Sequence, residues 1–114
     1  MGELRVAVPT KGEKGLWDEV AETFGRAKTI TVIDLVNGEV KDVRVLQNPA
    51  ASYRFGAGPI VVKTLADLKV KVVVASEVGP GASTLLEDQK IARVTVKAGT
   101  LVSEAIKVAA AQVN

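Results

Sequence analysis

The sequence predicts an α/β fold: one five-stranded mixed sheet, with an N-terminal antiparallel hairpin, then parallel βαβ units, flanked by helices. Three observations carry this. Two β-rich runs, Lys28 to Val36 and Glu39 to Gln47, are joined by Asn37-Gly38, a dipeptide that accepts positive φ at both central positions of a tight hairpin turn. Downstream, a strand, a glycine turn and a helix recur in that order, the pattern that lays parallel strands side by side through crossover helices. Val70 to Ala75 (VKVVVA) is almost wholly apolar, as a strand covered on both faces must be.

The elements follow in order. Leu4 to Val8 alternates and stops at Pro9, which reads as the first strand. Thr10 to Thr23 is a Gly- and Lys-containing loop with a short amphipathic helical turn over Leu16 to Ala21. The hairpin comes next and ends at Asn48-Pro49, followed by a loop over Ala50 to Phe55. Gly56-Ala57-Gly58-Pro59 leads into a helix over Ile60 to Leu68, with Pro59 at the first helical position, where a missing N–H is harmless. After the Val70 to Ala75 strand, Gly79-Pro80-Gly81 opens a helix over Ala82 to Asp88. Ile91 to Val96 is the last strand, and Ala98-Gly99-Thr100 opens a helix over Leu101 to Gln112 with Val102, Ala105, Ile106, Ala109 and Val113 on one stripe.

The bulk composition narrows the function. At 114 residues the chain, 1–114, is the size of one domain. It has no Cys and no His, so it offers no thiolate or imidazole as nucleophile, base or metal ligand. Ser76, Ser83 and Ser103 therefore have no histidine to activate them. The net charge is +2 and the basic residues are scattered without interleaved aromatics, which argues against nucleic acid as the partner. No apolar run reaches the length of a membrane span, and Met1 to Val8 has a strand's layout rather than a signal peptide's. The expected location is cytoplasmic.

Candidate chemistry gathers at the glycine turns. Helix N-termini present unpaired N–H groups and a partial positive charge. In parallel βαβ units these ends stand beside the carboxyl ends of the strands, the usual ligand crevice. Gly56, Gly58, Gly79 and Gly81 would let an anionic ligand approach the backbone, although glycines before helices are also ordinary turn punctuation. Neither loop matches a phosphate-binding fingerprint. Arg26, in Phe24-Gly25-Arg26, reads either as an anion clamp or as a solvated side chain beside a packed Phe. Tyr53 and Phe55, two of the four aromatics, read as a lid, an interface patch or core plugs. Asp18 and Glu22 are spaced to share a helix face, and Asp34 sits on a strand, but the carboxylates are not grouped as two-metal hydrolysis requires.

The motifs VAVPTKG, FGRA, ITVIDLVNGEVKDVRVLQNP, GAGP, VVVASEVGPGA and the AGT-led helix follow one another between Leu4 and Ala110. This ordered set resembles the dinitrogenase iron–molybdenum cofactor family, small domains related to carriers and chaperones of nitrogenase cofactor precursors. The resemblance implies a ribonuclease H-like fold without ribonuclease activity, and binding or delivery of an iron–sulfur-type or iron–molybdenum-type cluster. It also implies that Thr23 stands where relatives often carry a His before FGRA, and that Ser52-Tyr53-Arg54-Phe55 replaces a loop that often carries one. The expected cofactor-binding positions are thus Thr23, Gly25, Arg26, Tyr53, Arg54, Gly56, Gly58, Gly79 and Gly81, with no catalytic residue and no metal-ligating side chain. A pre-assembled anionic cluster or other small ligand would be held electrostatically, in a monomer or homodimer, with a partner protein able to supply what the chain lacks. Two other readings stay open: a structural or protein-interaction module without a ligand, and a ribonuclease H-like nuclease.

Overall fold

The computed structural model describes residues 2–113. Its strands are β1 (Glu3–Thr10), β2 (Thr29–Val36), β3 (Glu39–Gln47), β4 (Val72–Ala75) and β5 (Ala92–Thr95), and its helices α1 (Ala57–Asp67), α2 (Pro80–Asp88) and α3 (Val102–Val113). They form one five-stranded sheet in the order β3-β2-β1-β4-β5. β1, β2 and β3 pair antiparallel, while β4 runs parallel to β1 and β5 parallel to β4. The expected mixed sheet is therefore present. The hairpin turn has positive φ at both Asn37 (53°) and Gly38 (84°), as its Asn-Gly sequence requires.

Strand alternation sends side chains to two cores. Ala7, Ile30, Val32 and Val73 face α1 and α2, where they meet Val61, Val62, Leu65 and Leu86. Val6, Val8, Ile33, Leu35, Val72 and Val74 face α3, where they meet Val102, Ala105, Ile106 and Ala109. Each fully buried aliphatic side chain contributes roughly 1.5–3 kcal/mol of transfer free energy. The α3 stripe follows the expected spacing, although the side chain of Val113 lies outside the described residues. Burial on both faces explains the near-continuous apolar run of β4.

Most element ends shift by one to three residues from the sequence expectation, as where α2 starts at Pro80 rather than Ala82, and four differences have a clear physical reason. β1 runs through Pro9 to Thr10. The Pro9 carbonyl accepts the Ala21 N–H at 2.9 Å, on the side away from β2, so the missing Pro9 N–H also points away from that ladder and breaks no bond in it. α1 begins at Ala57, not Ile60, because Gly56 takes the left-handed conformation as its cap. Pro59 is then the third helical residue, still within the turn whose N–H groups lack helical acceptors, and Pro80 is the proline at a first helical position. β4 begins at Val72, because Lys69 turns left-handed (φ 63°) and the Val70 N–H bonds back to Leu65.

The fourth difference is the largest: Leu16 to Ala21 is not a helix. Only a single 3-10 turn forms, over Gly15–Trp17. Gly15 has φ +63°, and the chain then extends so that Val20 bridges Thr10 and Glu19 bridges Leu101. Val20 exchanges backbone bonds with Thr100 and Gly99 at 2.8 and 2.9 Å. Paired extended backbone thus satisfies this segment better than an isolated helical turn, which is costly to nucleate. Asp18 and Glu22 consequently share no helix face. The buried Asp18 carboxylate instead accepts the N–H groups of Lys14 and Glu19 at 3.0 and 2.7 Å.

Candidate functional site

An open cleft of about 600 Å³ lies at the carboxyl ends of β1 and β4. Its walls are residues 23–26 of the β1–β2 loop, 57–59 at the start of α1, and 77–82 around the start of α2. The chain's local bonding sets these walls. Ser76 donates its hydroxyl to the carbonyls of Ala21 and Glu22, both at 3.1 Å. The Phe24 N–H donates to the Glu77 carbonyl at 3.2 Å while its ring is buried in the core. From the other side, the buried Asn48 amide donates to the carbonyls of Gly25 and Ala27 at 2.9 and 2.8 Å. Its own carbonyl accepts the Ala50 N–H at 2.9 Å. The FGRA segment is therefore pinned at both ends.

Two helices aim their N-termini at this cleft. Neither α1 nor α2 has a side-chain cap, and neither carries an acidic residue in its first turn. The Ala57 and Gly58 amides in α1, and the Gly81 and Ala82 amides in α2, have no acceptor within their own helices. The partial positive charge of both helix ends is thus left uncompensated by neighbouring carboxylates of the same helix. α3 differs: Glu104 lies in its first turn, and the Val102 N–H is taken by the Asp18 carbonyl at 2.9 Å. Arg26 adds a cation to the cleft wall and Glu77 adds a carboxylate.

The glycines divide into two kinds. A Cβ on Gly25 would stand 2.9 Å from the Gly58 nitrogen and 3.2 Å from the Ala57 Cβ. A Cβ on Gly58 would stand 3.0 Å from the Ala82 Cβ. These two glycines let the three walls approach one another. A Cβ on Gly79 or Gly81 would meet nothing within 4 Å; their bareness serves no internal packing and leaves backbone open to the cleft.

Of the nine positions marked in the sequence, the cleft brings together Thr23, Gly25, Arg26, Gly58, Gly79 and Gly81. Gly56 caps α1 behind the cleft lining, and Tyr53 and Arg54 stand exposed on the preceding loop, outside it. The sequence did not mark Asn48, Phe24 or Glu77. Asn48 had a signal: an Asn ahead of Pro at the end of a strand bonds local backbone well.

Asp34 serves the fold instead. Asp34 receives Arg5 as a fork, Nε to Oδ1 at 2.7 Å and Nη2 to Oδ2 at 3.2 Å, while Arg5 Nη1 donates to the Leu68 carbonyl at 2.8 Å. The hydrogen bond and charge of Arg5 hold the Asp34 carboxyl below its ordinary value against a smaller opposing effect of burial, and Asp34 in turn holds Arg5 above its own. This pair stands at the amino end of β1, away from the cleft. Among the described residues, no group of three or more His, Cys, Asp or Glu side chains stands together to hold a metal ion. Among the same residues, no helix is long and apolar enough to cross a membrane.

Comparison with known proteins places this architecture. Residues 3–112 match the family described as dinitrogenase iron-molybdenum cofactor. The solved structure of a NifB-like protein from Thermotoga is 32% identical, with a TM-score of 0.75 over 97% of this chain and 89% of that one. The apo form of the orange protein from Desulfovibrio gigas is 29% identical, with a TM-score of 0.81 over 90% of this chain and 83% of that one. An uncharacterized protein from Methanocaldococcus jannaschii is 24% identical over 84 residues, which is 74% of this chain and 67% of that protein.

Proposed function

The chain belongs to the dinitrogenase iron-molybdenum cofactor family, and from that premise we propose that it is a small binding protein for a preformed anionic metal–sulfur cluster. The observation that carries this reading is the convergence of two helix N-termini, uncapped by side chains, and Arg26 on one cleft. Backbone N–H groups and helix dipoles favour an anion. The cleft's hydrogen-bond donors are Thr23, Arg26 and backbone amides, with Glu77 as a carboxylate on its wall, and there is no thiolate or imidazole in the whole chain. That chemistry fits a cluster that arrives with its ligands and is held as an ion. It does not fit one ligated directly through iron by side chains, which takes Cys or His.

The roles divide accordingly. The amides of Gly58, Gly81 and Ala82 face the anion, Arg26 clamps it, and Thr23 offers a hydroxyl donor. Gly79 and Gly81 leave room for close approach. The protein acts as a carrier rather than an enzyme, in the cytoplasm, as one domain over 1–114. The β3-β2-β1-β4-β5 order with an antiparallel N-terminal meander supports the ribonuclease H-like label, and the pairing of Asp34 with Arg5 counts against nuclease chemistry on that scaffold. A protein partner, as donor or recipient of the cluster, is favoured by Trp17, which is 71% exposed beside the backbone bridge of Glu19 to Leu101.

The test is anaerobic titration with a synthetic iron–sulfur cluster that carries its own thiolate ligands. The expected result is a visible-absorbance change and iron that co-elutes with the protein on gel filtration, both lost in Arg26→Glu. No absorbance change and no retained iron would overturn the proposal.

A further inference from the structure

We propose that the amino end of the sheet holds a second anion site, separate from the glycine cleft, which takes a di- or triphosphate group, free or carried by a nucleotide. An open cleft of about 580 Å³ lies there, within the size range of small-ligand sites. Lys41, Lys69 and Lys71 line it, together with Arg5 and the carboxylates Glu3, Asp34 and Asp42. The lysines are scattered in the sequence and meet only through the fold. Strand alternation puts Arg5, Asp34 and Asp42 on the sheet face that carries Ala7 and Val32, at the end of α1, where Arg5 Nη1 donates to the Leu68 carbonyl at 2.8 Å. Lys69 and Lys71 come from the link between α1 and β4. Lys41 comes from a β-bulge: Asp42 stands opposite Asp34 and Val40 opposite Leu35, so Lys41 has no partner in the ladder. A bulge re-aims the side chain that it sets free.

The charge balance decides what this cleft takes. Its aspartates are already committed, Asp34 to Arg5 at 2.7 Å and Asp42 to Arg44 at 3.7 Å. Lys41, Lys69 and Lys71 are exposed, and among the described residues none of them makes an ion pair. Three lysines against Glu3 leave two positive charges in excess. An ammonium acts as a compact point charge, which suits phosphate oxygens without the planar fork that a carboxylate favours. Cations spread across one concave wall suit a chain of phosphates better than an anion of single charge. Because Arg5 covers the Leu68 carbonyl, the negative end of α1 opposes such an anion less.

The experiment is titration of the full chain with inorganic tripolyphosphate at about 0.15 M salt, followed by backbone amide NMR shifts. Saturable shifts are expected around Lys41, Lys69 and Lys71 and not at Gly58 or Gly81, with a dissociation constant below about 1 mM. Lys69 and Lys90 supply a matched pair of variants. Each follows a helix in the left-handed conformation, at φ 63° and 59°, and the next N–H bonds back into that helix, Val70 to Leu65 and Ile91 to Leu86; Lys69 lines the cleft and Lys90 does not. Glycine suits both positions, so Lys69→Gly and Lys90→Gly are expected to fold alike. Lys69→Gly should weaken tripolyphosphate binding about fivefold and Lys71→Glu about tenfold or more, while Lys90→Gly and Arg26→Glu leave it unchanged. Loss of cluster binding in Arg26→Glu therefore tests the glycine cleft alone. Adenosine triphosphate binding as tightly as tripolyphosphate would make the phosphate chain the recognised part, and tighter binding would make the nucleotide the ligand. No saturable shift, shifts at Gly58 and Gly81 instead, or equal weakening in Lys69→Gly and Lys90→Gly would overturn the proposal. A Glu-rich peptide that shifts the lysines where tripolyphosphate does not would overturn it in favour of a protein partner.

Discussion

The two ends of β1 are finished in opposite ways. At the amino end, Arg5 satisfies both oxygens of Asp34 and the Leu68 carbonyl at the end of α1. Charge meets charge there, and the helix end receives a donor. At the carboxyl end, α1 and α2 start without side-chain caps or acids in their first turns, and glycines bare the backbone to a cleft of about 600 Å³. At one end the charges of Arg5 and Asp34 meet each other, beside a cleft of about 580 Å³ that Lys41, Lys69 and Lys71 also line; the other leaves donors without partners from the same helix. An α/β sheet commonly binds ligands at the carboxyl ends of its strands, and here the uncompensated positive ends of the helices stand there too. The lesson is that Asp18 and Asp34 hold the fold, while backbone amides at the other end are left for a ligand.

Changes at each end should separate stability from binding. Asn48→Ala removes the anchor between the FGRA wall and the loop before α1. Leaving its buried partners unbonded should cost about 2–4 kcal/mol, seen as a lowered urea midpoint, and should weaken ligand binding as well. Gly25→Ala forces a Cβ against the Gly58 nitrogen and should cost about 1–3 kcal/mol by overpacking, again with loss of binding. A cleft mutation that lost binding at unchanged stability would be needed to separate the two effects, and the glycines of α2 provide it. Gly81→Ala should leave stability unchanged or raise it by about 0.5–1 kcal/mol, since Ala suits a helix better, while weakening binding by filling open space. Stability and binding moving in opposite directions is the signature of a glycine kept for a ligand.

The remaining change lies at the Arg5–Asp34 end. Asp34 has a lowered carboxyl value in the folded protein, so its contribution is present above the ordinary Asp range and fades as pH falls through the folded value. Acid titration of stability should therefore show a loss below the ordinary Asp range that is smaller in Asp34→Asn. Ligand binding at neutral pH should be the same in Asp34→Asn as in the parent. Binding lost in Asp34→Asn would break the division between the two ends.

How much of this was readable in the sequence follows from what each signal measures. Asn37-Gly38 and the VKVVVA run specify local backbone and burial directly, so the hairpin and β4 were legible from composition alone. The glycine turns were legible as a group because their place before helices fixes their edge of a parallel sheet. Leu16 to Ala21 reads as a helical turn because the spacing of Leu16, Val20 and Ala21 does not reveal that Val20 pairs with Thr10, Gly99 and Thr100. Those partners are distant in sequence, and tertiary pairing overrides local periodicity. Asn48 was read as a strand terminator, which it is, but its reach to Gly25 and Ala27 depends on where β3 ends relative to the β1–β2 loop. The buried hydroxyls of Thr29 and Thr31, each bonded to that of Thr10, were invisible for the same reason: they meet it only once β1 and β2 are in register.

The central claim is that the cleft holds its ligand as an ion, through backbone amides and Arg26, rather than by a bond from a side chain to metal. Anaerobic titration with the thiolate-ligated iron–sulfur cluster at rising ionic strength tests it most directly. The account predicts binding that weakens steeply with salt and a bound cluster that keeps all of its external thiolates. Salt-independent binding with release of those thiolates would contradict it, because it would mean that the protein had replaced them as ligands to the metal.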